Sequence, residues 1–294
     1  IPNFIDKAAR SGGALMLVGL ENINPANLKA ANKPQNRIGE YRTMLQMWKK
    51  RGVITYAGYI LGFPNDTRAS ILRDIDIIKR ELPVDILELN FLTPLPGSAD
   101  HRALYESSVW MDPDLNNFDL DHRVTHHPVM SDEEWEQAYA QAWSRFYSPA
   151  HMQTIMQRAA ACGLSAGKIM FMMQWFSLSL RLEGVHPLEG GLFRLKFRGD
   201  RRPGLPKENP LVFYARYGLE IISKHLQTGY WLYRMGRISK KIKADPHRRG
   251  YMDLSLRPAA EDTPEAFDLY APMSAGRHPG TNPGHPQWQP LQRS

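Results

Sequence analysis

Cysteine is nearly missing: Cys162 is the single one in 294 residues. That excludes a disulfide framework and any cluster or thiolate metal site built by this chain alone, and it predicts a reducing, cytoplasmic setting. Long apolar runs are missing too. The richest stretch, Ile169 to Phe176, falls far short of the ~20 residues that span a bilayer. It reads as a core helix, with an interfacial helix or a cover over a lipid-like substrate as alternatives. No signal peptide is visible and no internal repeat stands out. Asp112-x-Asp114-x-Asn116 starts like a calcium loop, but Asn117 and Arg123 stand where that loop needs glycine and glutamate. His122, His126 and His127 lack a metal-ligand spacing. They read as loop and helix-start contacts, or one of them as a proton-transfer group near substrate.

Acidic charge is scarce in one region. Residues 181–257 hold 17 lysines and arginines against 7 acids, a balance of +10, within a chain of net charge +7. The other residues therefore carry −3, and the basic region should face something acidic or phosphate-bearing.

What is present is an alternation of short apolar strands and helical patterns. Residues 14–20, the β-rich run 53–57 with the glycine stretch that follows it, and 84–92 read as strands, and 26–51 and 68–81 as helices. This order predicts an α/β fold with a parallel sheet and right-handed crossovers, its ligand at the carboxyl ends of the strands. The stretch Gly58-Tyr-Ile60-Leu-Gly62-Phe-Pro-Asn65-Asp66 joins the second strand to a helix capped by Thr67. Its glycines would let a flat ligand approach backbone, and its turn would aim N–H groups at that ligand, or they are packing glycines. Residues 1–107 form this α/β part. Residues 108–257 form a helical region with helices at about 131–147, 149–161, 165–182 and 211–243, and a Gly/Pro/Arg-rich loop over 184–209. Residues 258–294, rich in Pro, Gly, His and Gln, are expected to be disordered. Cys162 reads as buried and inert.

Gly58-x-Ile60-x-Gly62-x-x-Asn65 resembles the G-x-I-x-G-x-x-E strand motif of radical S-adenosylmethionine (SAM) enzymes. Gly19-Leu-Glu21-Asn22, Asn32-Lys33, the Gly-Phe-Pro-Asn-Asp-Thr turn and the Leu92-Thr-Pro94-Leu-Pro-Gly-Ser turn resemble the subgroup with a cobalamin-binding domain. The resemblance spans roughly residues 1–107. It implies the C-terminal half of a partial (β/α)6 TIM-like barrel, followed by a substrate-covering helical region. It also implies a [4Fe-4S] cluster held by a C-x-x-x-C-x-x-C loop, which this sequence does not contain. The chain, beginning at Ile1 with a central-looking first strand, is thus expected to be part of a longer enzyme, inactive alone.

The resemblance assigns the SAM site residue by residue. Glu21 would reach the ribose hydroxyls or amino group, since a carboxylate can accept from a vicinal diol, or it is a solvated strand-end acid. Asn22 is a weaker candidate or a cap. Lys33 would pair with the SAM carboxylate or lie at a helix surface. Gly58, Ile60 and Gly62 would form an adenine shelf. Asn65 replaces the family glutamate, with Asp66 as substitute or cap. Leu92 and Pro94 would touch the adenine edge or simply shape the turn. The implied cofactors are SAM, the cluster and cobalamin; the implied partners are a small-molecule or lipid-like substrate and a reducing partner for the cluster. The basic region 184–249 is expected to make peripheral contact with the inner face of a membrane, with nucleic acid disfavoured. The rival expectation is a non-catalytic module that docks through its basic helices.

Overall fold

The structure, a computed structural model, describes residues 3–30, 38–188 and 190–258. Strands β1 (Leu15–Glu21), β2 (Ile54–Leu61) and β3 (Ile86–Phe91) form one parallel sheet in the order β1-β2-β3. Helix α1 (Phe4–Arg10) precedes it, α2 (Pro25–Ala30) and α3 (Ile38–Lys50) link β1 to β2, and α4 (Arg68–Glu81) links β2 to β3. Within the helical pattern expected over 26–51, α2 and α3 are described; Lys33 and the stretch 31–37 around it lie outside the described residues.

Local chemistry explains these elements. Thr67 caps α4 in a reciprocal box with Ser70, and Ile71, Ile75 and Ile78 recur on its buried face. That helix packs on the sheet face carrying Thr55, Ala57, Tyr59 and Leu61; the Tyr59 hydroxyl donates to Asp74 Oδ2 at 3.2 Å. Beneath the same face, Lys49 of α3 pairs with Asp85, which also accepts from the amide and hydroxyl of Thr55. Both charges are buried, so each needs the other. Arg42 and Glu81 make a second buried pair.

Helices α5 (Ala99–Glu106), α6 (Asp132–Phe146), α7 (Pro149–Ala161), α8 (Ala166–Leu178) and α9 (Pro210–Ala244) follow the sheet. A π-helical turn, Ser179–Glu183, continues α8. Ser131 opens α6 with a capping box to Glu134. The Met/aromatic stretch lies on α8, where Ile169, Met173 and Phe176 are buried. Among the described residues no helix is long and apolar enough to cross a membrane. One apolar core runs without a break from Val18 of β1 to Ile242 of α9. Arg158 of α7 ties the region together: it donates to the Leu82 and Lys79 carbonyls and to Asp253 at 2.7 Å. The tail expected to be disordered, apart from its first residue, lies outside the described residues.

The two sheet edges differ. Along β3, the Tyr147 hydroxyl accepts from Leu87 N and donates to Leu87 O, the Tyr139 hydroxyl donates to Leu89 O, and Phe91 N donates to Leu120 O. These bonds replace those of a neighbouring strand. On β1, Leu15 and Leu17 are exposed on the sheet face opposite α4. The described sheet is an open three-stranded one.

Candidate functional site

The carboxyl ends of β2 and β3 open into a cavity of about 340 Å³, within the range of a small-molecule site. Gly62, Pro64, Leu92, Pro94, Trp110 and Trp135 are among the residues that wall it, with Thr93, Asp100, Thr125 and His126 as polar lining. A wider hollow of about 600 Å³ lies between α1 and α3, lined by methionines and Trp48. We take the smaller one as the candidate because parallel sheets bind ligands at strand carboxyl ends.

Gly62 is required there. Its φ is +97°, and a Cβ at this position would sit 2.2 Å from the Trp135 ring. The Trp135 Nε1–H is buried without a partner among the described residues. Also in the lining, the Trp110 and His126 rings stack at 4.5 Å, and Arg123 lies 5.7 Å from the Trp110 ring centre. Asp132 accepts from His126 Nδ1 at 3.0 Å.

His127 is committed elsewhere. Its Nε2 donates to the Phe63 carbonyl at 2.9 Å, and its Nδ1 accepts from Val129 N and Met130 N. Those bonds require the neutral imidazole, and burial lowers its pKa despite the Phe63 carbonyl. It latches the loop to the β2 turn, and both His126 and His127 line the cavity. His122 pairs with Asp119 at 2.7 Å.

The turn after β2 corrects the expectation that its amides are offered to a ligand. Asp66 accepts from Gly62 N at 3.1 Å, Phe63 N at 2.9 Å and Asn27 Nδ2 at 2.7 Å. Burial raises its pKa while these three bonds pull it down. Asp66 is thus a turn organiser. Asn22 is likewise buried, giving a hydrogen bond to the Ile60 carbonyl and taking them from Asn24 N and Asn27.

Of the nine residues assigned to SAM from the sequence, Gly62, Leu92 and Pro94 meet in the cavity. Gly58 and Ile60 lie on the sheet face opposite α4, and a Cβ on Gly58 would meet nothing. Glu21 ends β1 in a left-handed conformation, φ 59°, at an irregularity in the pairing. Asn65 is exposed on the turn. Lys33 lies outside the described residues.

The sequence reading missed a buried cluster on that face. Glu88, paired with Gly58 across the sheet, receives the Tyr56 hydroxyl and lies 2.9 Å from His186 Nε2. Burial would raise the Glu88 pKa; hydrogen bonds from His186 and Tyr56 outweigh it and hold the carboxyl below its usual range. Burial and the neighbouring Glu88 push the Tyr56 hydroxyl far up. Only the placement of Tyr56 and Glu88 at even positions of buried strands hinted at this.

Cys162, half-buried at the end of α7, has its pKa raised by burial, and Lys49 and Asp85 act on it. Asp85 stands at the start of β3, away from the cavity. Among the described residues no three His, Cys, Asp or Glu side chains could hold a metal. With Cys162 the single cysteine, the described residues therefore do not fit an iron–sulfur cluster.

No family model matches the chain. It is 32% identical over 129 residues to the bacteriochlorophyllide d C-12(1)-methyltransferase of Chlorobaculum tepidum, covering 43% of this chain and 26% of that protein. It is 31% identical over 98 residues to an uncharacterised methyltransferase of Pyrococcus horikoshii, covering 32% of this chain and 20% of that one. The chain thus spans about a quarter or less of the length of the curated relatives it matches.

Proposed function

We propose that this chain is part of a SAM-dependent methyltransferase of the radical type. The cavity at the carboxyl ends of β2 and β3 carries the reading, and similarity to two proteins named as methyltransferases supports it. In this reading the sheet belongs to a partial barrel, and the adenosine of SAM occupies the cavity. Leu92 and Pro94 take one face of the adenine, Trp110 offers a stacking surface, and the unpartnered Trp135 N–H supplies a donor.

The cluster that would cleave SAM, and cobalamin if it relays the methyl group, would be held by residues other than those described. Substrate would lie over the sheet face that bears Gly58 and Glu88. A lipid-like substrate suits the exposed apolar face of α9, and a reducing partner would serve the cluster.

Equilibrium dialysis with labelled SAM tests the part this chain can show. Saturable binding, weakened several-fold by Trp110→Ala and by Pro94→Asp with unchanged circular dichroism, is expected. Binding that both variants leave intact, or none at all, overturns the cavity assignment and favours the non-catalytic module.

A further inference from the structure

Helix α9 is turned the unusual way round. Its inward side, packed toward α7 and α8, contains Lys224, Thr228 and Ser239 beside Phe213, Met235 and Ile242. Its outward side is the apolar one. Leu211, Val212, Ala215, Leu219, Ile222, Leu226, Tyr230 and Tyr233 recur at helical spacing, and Leu211, Leu219 and Leu226 are 82%, 70% and 70% exposed. At 1.5 Å per residue the stripe is about 33 Å long, and no charged residue interrupts it. An apolar face of this length on a solvent-facing helix marks an interaction surface.

Two features say what covers it. The stripe ends in cations, Arg237, Lys240, Lys241 and Lys243, with Arg216 and Arg234 along one flank. The segment Phe193-Arg-Leu195-Lys-Phe197-Arg is held to α9 off the stripe, by a Lys196–Glu220 pair at 2.6 Å and by the Tyr217 hydroxyl, which accepts from Lys196 N. Leu195 and Phe197 are exposed there. Apolar side chains interleaved with cations and tyrosines suit the boundary between headgroups and acyl chains. A second copy does not suit it. Glu220 is the one acid of α9 and is bonded to Lys196 and Lys224. Paired helices would therefore bring cations together, or against a stripe with no free acid, without the complementary flanking charges that specify helix pairing.

We infer that α9 docks this protein on an anionic lipid surface, with the 211–233 stripe immersed at the interface. The proposal does not depend on SAM binding and needs no cofactor to test.

Flotation of the full chain with vesicles of about 30% phosphatidylglycerol in phosphatidylcholine is the test. The chain should float with these and far less with pure phosphatidylcholine. Leu219→Asp with Leu226→Asp should lower partitioning at least about tenfold without loss of helical circular dichroism. Lys240→Glu with Lys241→Glu should weaken binding and flatten its salt dependence. Failure of the unaltered chain to float, or flotation indifferent to the leucine variants, overturns the proposal. So does a dimer in analytical ultracentrifugation that Leu226→Asp alone converts to monomer, since the stripe would then be a self-interface.

Discussion

His186 Nε2 lies 2.9 Å from Glu88 Oε1, and both side chains are buried against the face of the sheet that carries Gly58. A carboxylate out of water costs several kcal/mol unless partnered, and this one relies on His186 and Tyr56. The pair also pins the loop after α8 to β3, linking the helical region to the sheet.

Removing one partner should therefore be costly. His186→Ala leaves Glu88 with Tyr56 alone and is expected to destabilise by about 3 kcal/mol, read by urea unfolding. Glu88→Gln keeps the shape and should cost less. The sign with pH follows from the lowered Glu88 pKa: its contribution is present above the ordinary glutamate value and is lost as pH falls through the folded one. Equal costs for the two variants, or none for His186→Ala, would refute this account of the pair.

The two glycines of the β2 motif should behave oppositely. Gly62→Ala forces a side chain into a left-handed backbone and into the Trp135 ring, and is expected to cost 2 kcal/mol or more, on the order of other strained or overpacked sites. Gly58→Ala meets no atom and should leave the thermal midpoint within a few degrees while weakening any ligand that lies on that face. Thermal melts of both variants decide it. A destabilised Gly58→Ala beside a tolerant Gly62→Ala would show that the glycine roles are reversed.

These glycines also show how far the sequence could be read. Local signals were legible: Thr67 and Ser131 cap the helices they announce, and the strand–helix alternation of the first half is present as expected. The location of Gly62, Leu92 and Pro94 in one cavity follows from the rule that ligands sit at strand carboxyl ends. What could not be read was pairing across distance. An aromatic face on 132–146 is visible from its spacing, yet nothing in the sequence says that Trp135 fills the space above Gly62. A loop rich in glycine, proline and arginine gives no hint that His186 returns to Glu88. The fate of the turn amides turned on which carboxylate reached them first, and Asp66 did so from within the motif.

Acid sensitivity should come from two histidines. Burial lowers the pKa of His127 and, more strongly, that of His151, where Arg158 and Lys79 add to the effect. Both are therefore neutral in the fold and take up protons more readily when unfolded. Their contribution is full above the ordinary imidazole value of 6.5 and is lost as pH falls below it toward the folded values. The melting temperature should drop between pH 7.5 and pH 5.5, and His151→Phe should flatten that dependence. A melting temperature unchanged over this interval would contradict the neutral latch inferred for His127.

The closed edge of the sheet rests on hydroxyls, which makes a sharp test. In Tyr147→Phe the ring stays packed against Trp143 and Phe146, but Leu87 loses the partner of both its N–H and its carbonyl. Two buried backbone groups are then unsatisfied, for an expected loss of about 2–4 kcal/mol. Tyr105→Phe, on an exposed ring, serves as the neutral comparison. Hydrogen exchange should locate the loss: the Leu87 amide should lose protection in Tyr147→Phe well before the amides that pair β2 with β3. If Leu87 stays as protected as its neighbours, some other group caps that edge and the tyrosine is mere packing.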